Sequence, residues 1–222
     1  MKSSLARRFV AEFLGTLFLL AAVVGSGIMG EHLAGGNVAL ALLANSVATG
    51  SALVAITFAL GAISGAHLNP AVTLADAWQG GVRWRDTPFY ILAQLAGAIA
   101  GVGVAHLMFG LPLFSPSTHV RSGAAQLFSE FIATFGLLGV IWGCVRRHSL
   151  IVPFAVGGYI TAAYWFTAST SFANPAVTIA RSMTNTFAGI RPGDVGGFIV
   201  AELAGAFAAT LLFRWLIPSR TL

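Results

Sequence analysis

The tripeptide Asn-Pro-Ala occurs twice, at Asn69-Pro70-Ala71 and Asn174-Pro175-Ala176, and each copy runs on through Val-Thr into a short apolar segment. The surroundings repeat too. Ala11-Glu12-Phe13-Leu14-Gly15-Thr16 returns as Ser129-Glu130-Phe131-Ile132-Ala133-Thr134, and Ala93-Gln94-Leu95-Ala96-Gly97-Ala98 returns as Ala201-Glu202-Leu203-Ala204-Gly205-Ala206. The same elements in the same order make the chain a duplication. One copy covers about residues 9–109 and the other about 125–217 of a single domain, 1–222.

The repeats lie in strongly apolar surroundings. Hydrophobic residues make up 57% of the chain and charged ones 9%, with a mean hydropathy of +0.84. A water-soluble domain of this length does not stay in solution with that balance, so the expected solvent is the lipid bilayer. Apolar runs bounded by charge, Gly and Pro predict helices near 9–29, 38–61, 88–109, 125–145, 150–168 and 194–217. Each meets the length of about 20 residues that a membrane crossing takes. The segments opening at Pro70 and Pro175 reach only about Trp78 and Met183, too short to cross. The run from Phe9 is too long for a signal peptide and lacks a cleavage site, so it is expected to stay as the first span.

Three spans per copy bring the second copy in from the opposite side, which makes an inverted repeat. Lys2, Arg7, Arg8, Arg83, Arg85, Arg146, Arg147, Arg214 and Arg220 flank the spans on one side, and Arg121, Arg181 and Arg191 fall on the other. That bias predicts cytoplasmic termini and an external linker over about 110–123. The net charge of +5 is therefore a topology signal and does not point to nucleic acid. Lone Cys144 supplies neither a disulfide framework nor a metal site. No Ser-His-Asp set, metal cluster or phosphate loop is visible, so neither an enzyme nor a cofactor is expected.

Asn is a favoured helix cap, and Pro at the first helical position has no amide hydrogen to leave unpaired, so a short helix starts at each motif. In inverted copies these two starts meet near the midplane, with Ala71 and Ala176 small enough to permit contact. Non-helical backbone at that depth persists only against protein or a wet cavity, so the loops before Asn69 and Asn174 predict a pore. Two converging helix N-termini oppose cations there and leave neutral hydroxylated solutes unopposed.

These residues resemble the aquaporin, or major intrinsic protein, family over about Phe9 to Trp215. The resemblance implies an all-α bundle of six transmembrane helices with two re-entrant half-helices, assembled as a homotetramer of separately conducting subunits. It implies a central constriction made by the two Asn-Pro-Ala loops and an outer constriction that selects. The family's filter positions fall on Thr49, Ala162, Ser171 and Val177. The last is usually Arg, and Val there implies a wider filter. Helix geometry alone also puts Val177 one turn beyond Asn174 on the same face.

The likeness is nearest to bacterial aquaglyceroporin-like channels of an arsenic-resistance branch. It implies an inner-membrane channel whose cargo is glycerol, arsenite or methylated arsenicals, and water. A water-selective aquaporin and an ion-coupled transporter are the alternatives. Arg181, one turn past Val177, either replaces the missing Arg at a displaced level or faces the vestibule, bonded to carbonyls. Intramembrane Glu12 and Glu130 are functional candidates, and the family implies that they brace the loops, with Gln94 and Glu202 in similar roles. His67 either lines the pore or braces its loop.

Overall fold

A computed structural model describes residues 3–145 and 149–217, so Lys2, Arg146, Arg147, His148 and Arg220 lie outside the described residues. The described residues form eight α-helices: α1 Leu5–Leu33, α2 Val38–Ser64, α3 Pro70–Trp78, α4 Thr87–Met108, α5 Ala124–Val145, α6 Val152–Phe166, α7 Pro175–Arg181 and α8 Pro192–Leu216. Five of these, α1, α2, α4, α5 and α8, are long and apolar enough to cross a membrane. The expected span at 150–168 is instead a 3-10 turn, Ser149–Ile151, leading into the 15-residue α6. At about 1.5 Å per α residue and 2 Å per 3-10 residue the two together still reach close to the hydrocarbon thickness.

Other boundaries move for local reasons. Helix α1 starts at Leu5, well before the apolar run, because the Ser4 side chain accepts from the Arg7 amide and caps it. Its first turns thus carry Arg8, which reaches Asp86 ahead of α4 at 3.0 Å. Helix α7 ends at Arg181, and the amides of Ser182 and Met183 close the turn onto the Ile179 and Ala180 carbonyls.

The two halves pack alike. Helix α1 lies against α2 and α4 as α5 lies against α6 and α8, while α2 against α6 joins the halves. Glycine sets the closest approaches. A Cβ at Gly97 would strike the Phe13 carbonyl, and one at the repeat-equivalent Gly205 would strike that of Phe131. Between the halves, a Cβ on Gly157 would come within 2.6 Å of the Gly50 carbonyl. With little hydrophobic drive between helices in lipid, such small residues let backbone packing supply the attraction. Helices α3 and α7 touch each other, and each packs on the long helix of the opposite half, α8 and α4 respectively.

Candidate functional site: a cavity between two half-helices

The loops before α3 and α7 are held in a backbone conformation that L residues avoid. Ala66 and Leu68 in the first, and Ser171 and Ala173 at the equivalent places in the second, have φ between 46° and 53°. Left-handed residues cost roughly 1–2 kcal/mol each, so something nearby must hold them. Buried carboxylates do so. Glu12 accepts the amides of His67 at 2.9 Å and Leu68 at 2.7 Å, and also bonds Ser64 Oγ at 2.6 Å and Gln94 Nε2 at 2.8 Å. Glu130 accepts the amides of Phe172 at 2.9 Å and Ala173 at 2.7 Å. Glu202 takes the Thr178 hydroxyl at 2.6 Å, much as Gln94 donates to Thr73 in the first half. Ser64 was not singled out from the sequence, since nothing in an apolar helix end marks one serine as a partner.

The strained residues present their carbonyls to the opposite half. Asn69 Nδ2 donates to the Ala173 carbonyl at 2.7 Å, and Asn174 Nδ2 donates to the Leu68 carbonyl at 2.8 Å. Each Asn Oδ1 meanwhile caps its own helix, on the Ala71 amide at 2.9 Å and on the Ala176 amide at 3.0 Å. An amide nitrogen carries two hydrogens; the exchange between halves takes one and leaves the second for a solute. Pro70, Ala71, Pro175 and Ala176 are buried behind this wall and do not line the cavity.

A cavity of about 290 Å³ runs past both asparagines. Its lining extends from Val145 and Val152, where α5 ends and α6 begins, to Tyr164, Val177 and Arg181 at the far end. At the near end it shares Gly65, His67 and Asp76 with a broad concavity that also holds Arg8, Arg83 and Arg85. His67 therefore lines the passage, and it also ties its loop, with Nδ1 at 3.2 Å from Thr73 Oγ1 and Nε2 at 3.7 Å from the Asp76 carboxylate.

Thr49, Ser171, Val177 and Arg181 all border the cavity, but Ala162 does not. Ala162 is exposed on the outer side of α6. Two residues on, about 200° around the helix, Tyr164 faces the cavity and its hydroxyl lies 3.2 Å from Thr49 Oγ1. Tyr164 went unnoticed in the sequence. The available signal was that a tyrosine within an apolar span needs a partner for its hydroxyl.

Arg181 is 2% exposed. Its Nε donates to the Ala188 carbonyl, and its guanidinium lies over the Phe172 ring, 3.4 Å from the centroid. Arg121 from the linker approaches the same ring at 5.0 Å and donates to the carbonyls of Gly189 at 2.8 Å and Ser169 at 3.0 Å. Burial pushes the Arg121 guanidinium down to about 10, which keeps it charged near neutral pH. Arg121 and Phe172 were invisible as a pair because the contact joins residues about 50 positions apart. Among the described residues, no group of three His, Cys, Asp or Glu side chains is disposed to hold a metal ion.

Three comparisons bear on this arrangement. Residues 1–157 match the family model described as major intrinsic protein. The chain is 58% identical over 217 residues to the aquaglyceroporin AqpS of Rhizobium meliloti (strain 1021), covering 97% of this chain and 93% of that one. It is 37% identical over 215 residues to aquaporin NIP1-4 of Oryza sativa subsp. japonica, covering 94% and 76%. The X-ray structure of the aquaglyceroporin from Plasmodium falciparum superposes with a TM-score of 0.72 at 22% identity, covering 98% of this chain and 97% of that one, which is a likeness of fold.

Proposed function

The chain belongs to the major intrinsic protein family, and from that premise we propose that it is a membrane channel passing glycerol-sized uncharged solutes and water down their gradients. One observation carries the reading: the cavity that passes Asn69 and Asn174 is bordered one turn beyond Asn174 by Val177, an uncharged side chain. A solute meets amide hydrogens at the asparagines and an apolar side chain at Val177. Nothing in that stretch requires a charge, and the N-termini of α3 and α7 oppose cations.

The same side chain supports arsenous acid and methylated arsenicals as further cargo, since both are neutral, hydroxylated and larger than water. The central constriction in this reading is Asn69 and Asn174, with Pro70, Ala71, Pro175 and Ala176 packed behind them; Thr49, Ser171 and Val177 form the outer filter, and Glu12 and Glu130 brace the loops. Permeation of this kind needs no covalent step and hence no enzyme chemistry. Apolar side chains such as Val10, Phe18, Phe58 and Phe207 stand exposed on the bundle; they are suited to lipid and to neighbouring subunits of a homotetramer in a cell inner membrane. Arg8, Arg83 and Arg85 around the concavity at the chain-end side favour a cytoplasmic position for that face.

Proteoliposomes test the reading directly. Flux of glycerol, urea and arsenite should exceed the protein-free background along with water flux. Fast water flow with the three solutes at background would replace it by a water-selective channel.

A further inference from the structure

The expected filter of Thr49, Ala162, Ser171 and Val177 is a ring of small side chains, yet one of its four members faces away from the passage. Tyr164 fills that place. It is 3% exposed, its ring packs in the buried cluster with Val72, Ile160 and Ala173, and it borders the cavity near the C-terminal end of α6. A phenol there occupies far more of the passage than an alanine would.

The hydroxyl adds a second consequence. Tyr164 Oη is 3.2 Å from Thr49 Oγ1 on α2, in a pair where either atom can donate. Ser171 is 2% exposed, and its buried Oγ has no hydrogen-bond partner among the described residues although it borders the same cavity. An unpaired buried hydroxyl costs free energy unless something passing through supplies the bond. The hydroxyls of Tyr164, Thr49 and Ser171 thus border the cavity together with the apolar Val177.

We propose that Tyr164 is a specificity-determining residue of this channel, its ring limiting the size of the solute and its hydroxyl, with those of Thr49 and Ser171, favouring solutes rich in hydroxyl groups. The proposal rests on the channel reading above and adds the residue that sets its cut-off. A purely structural Tyr164 would instead tie α2 to α6 across the two halves, and its loss would lower every flux by a common factor.

Ratios of fluxes separate the two roles. In proteoliposomes with matched protein content, Tyr164→Ala should raise the flux of a five-carbon polyol several-fold relative to glycerol. Tyr164→Phe keeps the ring and should leave that size ratio in place, while lowering glycerol relative to 1,2-propanediol, which has one hydroxyl fewer, by up to about five-fold, the factor of one net hydrogen bond. Thr49→Val should shift the second ratio in the same direction. Unchanged ratios in Tyr164→Phe and Thr49→Val overturn the hydroxyl role, and an unchanged size ratio in Tyr164→Ala overturns the role of the ring. Should Tyr164→Ala fail to assemble, Tyr164→Leu carries the size test. Unmodified protein with no solute flux above protein-free vesicles would overturn the channel reading itself, an outcome distinct from both.

Discussion

The guanidinium of Arg181 lies over Phe172, 3.4 Å from the ring centroid, and its Nε donates to the Ala188 carbonyl. Phe172 is also the residue whose amide Glu130 holds at 2.9 Å. One short loop therefore carries a strained backbone, a buried carboxyl behind it and two arginines at its aromatic ring. The charge at the far end of the cavity is stored one turn beyond Val177, where it borders the passage without replacing the side chain at the Val177 level.

Arg181→Ala removes both contacts. A desolvated cation–π pair is worth about 2 kcal/mol and a charged hydrogen bond about 1.5–3 kcal/mol before partial compensation. The variant should unfold in detergent at a clearly lower temperature and should admit small cations to which the unmodified channel is closed. Arg181→Lys should restore the exclusion more than the stability, because a compact ammonium does not reproduce the guanidinium's contacts with both the ring and the carbonyl. Thermal unfolding and liposome cation flux measure the two effects separately, and unchanged values of both in Arg181→Ala would deny the residue either role.

How much of this was legible in the sequence follows from the range of each signal. The two half-helix starts were readable to the residue, because Asn and Pro act on the backbone next to them. The start of α1 is not marked by the edge of the apolar run, because Arg8 lies within the helix and finds Asp86 from another element. Ala162 was reached by counting along the chain across a loop, and a count of residues does not carry helical phase; Tyr164 is the side chain that the phase turns inward. The resting place of Arg181 depends on a carbonyl in the following loop and a ring in the preceding one, neither of which a local pattern encodes.

Glu12→Gln and Glu130→Gln keep one accepting oxygen and replace the other with an NH2 that only donates. Each buried amide left unpaired costs about 1–3 kcal/mol, and the loop loses the group that holds its left-handed residues. Glu12 takes donors from Ser64, His67, Leu68 and Gln94, and Glu130 takes those of Phe172 and Ala173 and also meets the Ser169 and Glu202 side chains. Both variants should lose solute flux per folded subunit and unfold in detergent at lower temperature than the unmodified channel. Wild-type flux in both would remove the bracing role.

Asp86 supplies a pH dependence at the chain-end face. Burial alone would raise its carboxyl, but hydrogen bonds from Arg83 and then Arg8 outweigh that and hold it below the ordinary value of 3.8. A carboxyl lowered in the folded state stabilises above its unfolded value and loses that contribution as pH falls through the folded one. Detergent stability should therefore drop on acidification below about pH 4, less steeply in Asp86→Asn, whose stability starts lower. Salt should weaken the Arg83 contact, which is largely exposed, more than the Arg8 contact. Identical acid profiles for the two proteins would count against the assignment.

Val177→Arg puts a guanidinium back at the level one turn from Asn174. Val177 is 5% exposed and borders the cavity, so a side chain several atoms longer has to extend into the passage or displace its neighbours. Arg181, one turn further on, and Arg121 already bring positive charge to the Phe172 ring, so a further guanidinium at this level is repelled by both. The added bulk narrows the passage for anything larger than water, and the five new donors bind a hydroxylated solute without helping it leave. Glycerol, urea and arsenite fluxes should therefore fall by a larger factor than water flux when the variant and the unmodified channel are compared at equal protein density. Equal losses for all four would mean that Val177 lies outside the level at which solutes are sorted.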